Sequence, residues 1–274
     1  MSRQLHLNLF LMARGHHEGA WRHPGANPKA LTDLELYVDA ARIAENAKFA
    51  AVFLADTLVG PENSQLAASG LLEPITLLTA LALKTERIGL IGTASTTYSH
   101  PYTLARQFAT LDHISKGRAG WNIVTSWAPK AGENYGLAEN VDHADRYRIA
   151  QEFVEAVDAL WRSFPASSIV DDAASGQFLD IGQVRPAGYA GQHIRTRGPL
   201  NVPGSPQGRP VLVQAGQTGR ELDLPASLAL VSNQVQMLQD GIVPLVVRET
   251  PPAILDQLAL DLDGPAPGGA HRAR

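Results

Sequence analysis

Residues 92–126 read GTASTTYSHPYTLARQFATLDHISKGRAGWNIVTS: a strand end, a helix and a second strand, with polar residues concentrated where each strand stops. Pro101 suits a first helical position, where a missing N–H costs nothing. Leu104, Phe108, Leu111 and Ile114 then recur at helical spacing, and Gly117 supplies a stop. Ala119–Val124 follows as a short apolar strand. In an α/β barrel the carboxyl ends of the strands form the mouth where ligands bind. Thr93, Ser95, Thr96, Asn122, Thr125 and Ser126 are therefore expected at one site.

Working outward, the same alternation continues on both sides. Leu5–Met12 reads as a first strand, and the Gly-, His- and Pro-rich stretch Ala13–Lys29 as a loop at its mouth. Thr32 and Glu35 form a capping-box pattern, and Leu34, Val38, Ala41 and Ala44 predict a helix after it. Phe49–Ala55 is a continuous apolar run, as expected of a covered parallel strand, and ends on Asp56 and Thr57. Glu73–Thr85 predicts a second helix with Pro74 in its first turn, and Arg87–Thr93 the next strand.

Downstream, Asp142 is expected to cap a helix running to Ser163, with an inner stripe of Tyr147, Ala150, Val154, Val157 and Trp161. Residues 164–209 are too long for a plain connection and suggest an inserted loop or hairpin. Pro210–Ala215 reads as a fifth buried strand. The turn Gly216, Gln217, Thr218, Gly219 after it is a phosphate cradle if a helix follows. Residues 1–219 thus hold five βα units. Residues 220–274 form an atypical tail in which Leu228–Val231 and Ile242–Val247 are the candidate strands, too short for three more units of about 30 residues each.

Composition narrows the chemistry. The 274 residues are 45% hydrophobic, enough to bury a full core, and the formal net charge of −4 with 23 scattered Lys and Arg offers no footprint for nucleic acid. No apolar run reaches the roughly 20 residues needed to span a bilayer, and no signal peptide is evident, so a cytoplasmic protein is expected. With no cysteine, thiol chemistry within the chain is absent. Redox chemistry would come from an organic cofactor. Neither GxGxxG nor a P-loop is present, and no GxSxG elbow supports a Ser-His-Asp hydrolase.

The segments GHHEGAWRHPGANP (15–28), FLADTL (53–58), 93–126, ENYG (133–136), DHADRYRIAQEFVEAVDALW (142–161) and RGPLNVPGSPQGRPVLVQAGQT (197–218) carry a resemblance. Together they resemble the nitrilotriacetate and dibenzothiophene-sulfone monooxygenase branch of the bacterial-luciferase-like flavin enzymes. The resemblance implies a TIM (β/α)8 barrel, here incomplete after its fifth strand because the sequence departs from the family beyond Thr218. It implies reduced FMN delivered by a separate NAD(P)H:flavin reductase, O2, and a small organic substrate. It sets Asp56 and Thr93 beside the flavin ring, Asn122 under it, and His143, Tyr147 and Thr218 at the ribityl chain and phosphate. His16, His17 and Trp21, on the first mouth loop, are candidates for covering substrate. No catalytic residue is singled out, and a homo-oligomer remains open.

Each residue also has a plainer reading. Asp56 is a possible turn cap, the threonine run a possible β-branched filler, and His143 a possible helix-cap partner. Tyr147 on an apolar stripe would be core in most proteins. His16, His17 and His23 lack the spacing of a metal set, so no metal is expected. At the level of function, the alternatives are a deazaflavin-dependent oxidoreductase of the same superfamily and a degenerate, non-catalytic flavin-binding chain.

Overall fold

The structure, a computed structural model, describes residues 6–17, 19–60, 72–126, 128, 130–137, 141–214, 220–222 and 247–249. It divides into two units, 1–213 and 214–274. In the first, five parallel strands lie in the order β1 (Asn8–Phe10), β2 (Ala51–Leu54), β3 (Gly89–Ser95), β4 (Ala119–Val124) and β9 (Val211–Val213). Helices α1 (Leu34–Asn46), α2 (Pro74–Ala82) and α3 (Pro101–Ser115) link the first four strands, as parallel pairing demands a crossover. Helix α4 (His143–Arg162) begins the longer return to β9.

Register sets out the faces. Phe10, Phe53, Ile91, Gly120 and Val211 are Cα partners in one row across all five strands. Period-two alternation puts Thr93 and Asn122 on the same face as Ile91 and Gly120, one step nearer the carboxyl ends. Gly92 and Trp121 face the other way, toward the helices. A Cβ at Gly92 would sit 2.9 Å from Leu78 Cδ1 of α2, so the glycine lets that helix approach the sheet. Trp121 is fully buried, with ring centroids 6.0 Å from Phe108 of α3 and 6.0 Å from Phe153 of α4. Its indole N–H donates to the Ala94 carbonyl at 3.1 Å, so the largest side chain of the core hides no unpaired donor.

The amino ends of the strands are tied by two charged residues. Arg118 donates to the carbonyls of Ser115, Ile88, Ala82 and Thr85 and to Thr85 Oγ1, over 2.7–3.1 Å. Glu45 Oε1 accepts the backbone N–H groups of Glu86, Arg87 and Ile88 at 2.9, 2.6 and 2.9 Å. Burial raises the Glu45 carboxyl, but these three N–H groups and the nearby Arg87 charge outweigh it and hold the group below its ordinary value.

Local expectations needed correction in three places. Helix α1 starts after Asp33 rather than Thr32, and Asp33 accepts from Asn27 Nδ2 at 2.6 Å. Helix α3 ends on Lys116, itself left-handed at φ +59, with Gly117 after it at φ +86. On α4 the buried stripe is Ala150, Phe153, Val154, Val157 and Trp161, while Tyr147 is 37% exposed. Tyr147 lies one turn before Ala150, where the buried stripe of α4 begins, and its side chain stays partly in solvent.

The inserted segment 164–209 holds two antiparallel hairpins, β5 (Ile169–Asp172) with β6 (Gln177–Leu179) and β7 (Tyr189–Ala190) with β8 (Arg195–Thr196). The second is pinned to α4: Glu152 accepts the N–H groups of Gln192, His193 and Ile194, and the Tyr189 hydroxyl donates to Glu155 at 2.6 Å. In the second unit, β10 (Arg220–Leu222) pairs antiparallel with β11 (Val247–Glu249). The candidate strand Leu228–Val231, the Gly216–Gly219 turn and Ile242–Val247 up to its last residue lie outside the described residues.

Candidate functional site

A cavity of about 590 Å³ opens at the carboxyl ends of β2 and β3, lined among others by Asp56, Thr93, Ser95 and Tyr135. That size is within the range of small-molecule and cofactor sites. Beside it, Asn122 Nδ2 donates to Thr93 Oγ1 at 2.8 Å, a pair fixed by the β3–β4 register, in which the two residues are direct partners. Both are buried, at 3% and 4% exposure. A buried polar pair over an apolar row is the layer at which this sheet changes from core to mouth.

Asp56 ends the β2 loop segment half-buried. Burial raises its carboxyl above the ordinary value and the nearby Glu73 charge adds to this, while the Thr57 N–H opposes it. Glu73 is itself engaged, accepting from Ile75 N and Thr76 N at 3.0 and 2.7 Å as the N-cap of α2. Tyr135 comes from the turn after β4 and stacks on Tyr98 from the turn after β3, centroids 4.9 Å apart and planes 18° from parallel. Burial raises the Tyr135 phenol, with Asp56 and Tyr98 adding to it. Asn134 Nδ2 donates to the Leu58 carbonyl at 2.8 Å, so the β4 turn is latched to the β2 loop.

The hydroxyl run divides by role. Thr93 and Ser95 line the cavity, and Ser95 Oγ also accepts from Thr97 N and Tyr98 N at 3.2 and 3.3 Å. Thr96, expected as lining, and its neighbour Thr97 instead bond across to the β4 end: Thr96 Oγ1 reaches the Val124 carbonyl at 3.2 Å and Thr97 Oγ1 the Thr125 carbonyl at 2.7 Å. The strand pairing carries these residues past the pocket and against their neighbour's backbone.

The remaining candidates scatter. His16 lays its ring edge-on to Phe10, centroids 4.7 Å apart, which sets it against the carboxyl end of β1. His17 Nδ1 accepts from Gly19 N at 3.0 Å and thereby shapes its own turn. Trp21 sits in a short 3-10 turn, Ala20–Arg22, and is 37% exposed. His143 is the first residue of α4 and Tyr147 follows one turn later, so both belong to the helix end that faces the β4 loop through Arg146, whose Nη1 donates to the Ser126 carbonyl at 2.7 Å. Thr218 lies outside the described residues. Sequence reading passed over Tyr98, Tyr135 and Arg146. The i, i+3 spacing of Arg146 from His143, which sets the two positions on one side of a helix, was the available signal.

The chain matches the luciferase-like monooxygenase family over residues 10–232. It is 42% identical over 253 residues to nitrilotriacetate monooxygenase component A of Aminobacter aminovorans, covering 88% of this chain and 56% of that protein. It is 40% identical over 230 residues to the dibenzothiophene-sulfone monooxygenase of Rhodococcus erythropolis (strain XP), covering 80% and 51%. Among solved structures, a riboflavin lyase with modified FMN and riboflavin superposes with a TM-score of 0.72 at 31% identity, over 86% of this chain and 59% of that one. The chain spans about half the length of the curated relatives it matches. The βα alternation, the polar layer at the strand ends and these matches agree, and the chain belongs to the luciferase-like monooxygenase family, with the TIM-barrel type of fold.

Proposed function

We propose that this chain acts as the oxygenating component of a two-component flavin monooxygenase, in which reduced FMN from a separate NAD(P)H:flavin reductase and O2 oxygenate a small organic substrate. The observation that carries the reading is the buried Asn122–Thr93 pair at the edge of a cavity of about 590 Å³ at the strand ends. Polar groups of fixed geometry at the edge of a recess lined by further hydroxyls and carboxylates suit the edge of a ring cofactor rich in N–H and C=O groups. When bound, the flavin supplies the oxygen activation.

The chain's own residues do the rest. Asn122 and Thr93 orient the ring through hydrogen bonds, with Asp56 beside it, its carboxyl held above the ordinary value by burial. His143, Tyr147 and Thr218 hold the ribityl chain and phosphate. The Tyr98–Tyr135 stack and the Asn134–Leu58 latch close the rim and exclude water. His16, His17 and Trp21 meet the substrate from the first loop. A cytoplasmic location fits a reaction fed by NAD(P)H, and no helix among the described residues is long and apolar enough to cross a membrane.

The test is direct. With a flavin reductase, NADH, FMN and O2, the full chain is expected to consume substrate from an aryl sulfone, thioether or aminopolycarboxylate panel, and to oxidise no NADH without the reductase. Rapid NADH oxidation by the chain alone would refute the two-component assignment.

A further inference from the structure

Three successive carbonyls, that of the last residue of β4 and those of the two residues after it, are each held from outside the strand. Val124 O accepts from Thr96 N at 2.9 Å and from Thr96 Oγ1 at 3.2 Å. Thr125 O accepts from Thr97 Oγ1 at 2.7 Å. Ser126 O accepts from Arg146 Nη1, on α4, at 2.7 Å. Two further features mark the spot. Ser126 has φ +48, in the left-handed region that a residue with a Cβ rarely adopts. Arg146 Nε is buried with no hydrogen-bond partner. Backbone strain and an orphaned buried donor persist only where the surroundings impose them, and they gather at functional sites.

The elements joined this way are those the flavin reading needs in register. Strand β4 carries Asn122, two residues before the held carbonyls, and the first turns of α4 carry His143 and Tyr147 on either side of Arg146. We propose, resting on that reading, that Thr96, Thr97 and Arg146 are positioning residues: they clamp the end of β4 to the β3 loop and to α4. The clamp sets Asn122 at a fixed distance from the helix end that holds the cofactor's phosphate side. They touch backbone, not cofactor. Their effect on binding therefore runs through the placement of Asn122 and α4.

The experiment uses the full 274-residue chain. FMN and riboflavin affinities are measured by quenching of flavin fluorescence, and amide exchange over residues 119–126 is followed without flavin. The variants are Arg146→Met, Arg146→Lys, the near-isosteric Thr97→Val, and Thr85→Val as a control at the opposite end of the sheet. Arg146→Met and Thr97→Val are expected to weaken FMN at least fivefold and to speed exchange over residues 122–126. Arg146→Lys, which can still donate to the Ser126 carbonyl, should return affinity to within twofold of wild type. Thr85→Val, which removes a hydroxyl bonded to Arg118, should lower thermal stability and leave FMN affinity alone. If Arg146→Met does not fold, Thr97→Val carries the test.

FMN affinity within twofold of wild type in the folded clamp variants overturns the proposal, as does an equal loss in Thr85→Val, which would make the effect general destabilisation. A wild-type chain that binds FMN yet ignores the clamp refutes this assignment alone. One that binds neither flavin refutes the flavin reading, and the assignment with it.

Discussion

Asp56 is half-buried at the cavity, and its raised carboxyl has a definite sign in stability. The folded state binds this proton more tightly than the unfolded chain does. The residue therefore costs nothing below the ordinary carboxylate range, and takes stability away as pH rises through the ordinary value toward the raised one. Asp56→Asn should melt with wild type at about pH 3 and above it near pH 7. A variant less stable than wild type near neutrality would mean that the ionised carboxylate has a stabilising partner. Thr93→Val tests the buried pair beside it. It removes the acceptor used by Asn122 Nδ2, a loss of about 1 kcal/mol in folding, and is expected to weaken FMN more than its modest melting shift suggests, whereas Thr93→Ser keeps both. Leu90→Ala, at a fully buried core position, should cost about 2–5 kcal/mol with far less effect on affinity per unit of stability lost. Equal effects on both properties from Thr93→Val and Leu90→Ala would make the pair structural.

At the scale of elements, the sheet is organised by its two ends. The carboxyl end holds the Asn122–Thr93 pair and the loops around the cavity, while the amino end is tied by Glu45 and Arg118. Glu45 runs opposite to Asp56. Its folded value lies below the unfolded one, so its contribution is present above the ordinary carboxylate range and disappears as pH falls through the lowered value. Glu45→Gln should therefore flatten the acid limb of the stability curve and leave Asp56-linked behaviour unchanged. Thermal melts across that range check it, and an unaltered acid limb would show that the three backbone N–H groups do not depend on the charge. The helices cover the opposite face through Trp121, whose neighbours come from both α3 and α4, so that packing and site geometry use different faces of the same strand.

For the molecule as a whole, β1 and β9 are the edges of the described five-stranded sheet. On the face shared with Ile91 and Gly120, Phe10 is 44% and Val211 54% exposed. Apolar side chains beside an unpaired strand edge favour association with another chain. Sedimentation velocity from micromolar to near-millimolar concentration is expected to show concentration-dependent self-association that Val211→Lys reduces. A strictly monomeric wild type would show that this surface is compatible with solvent as it stands. The family match covers residues 10–232, so β2–β4 and α4 fall inside it.

Local pattern made the α/β alternation readable from sequence. Continuous apolar runs, helical stripes and punctuation by Pro and Gly are properties of a few consecutive residues. Because strand ends are local features too, Asp56, Thr93 and Asn122 could be placed at the mouth without any knowledge of packing. What required the tertiary structure was the partner of each side chain. Thr97 bonds a carbonyl 28 residues away and Arg146 one 20 residues away. Phe153, not Tyr147, meets Trp121 because α4 crosses the sheet at that point. The Tyr98–Tyr135 stack exists because two loops from adjacent strands converge. Such pairings depend on interstrand register and on where helices land, and periodicity along one segment carries no information about either.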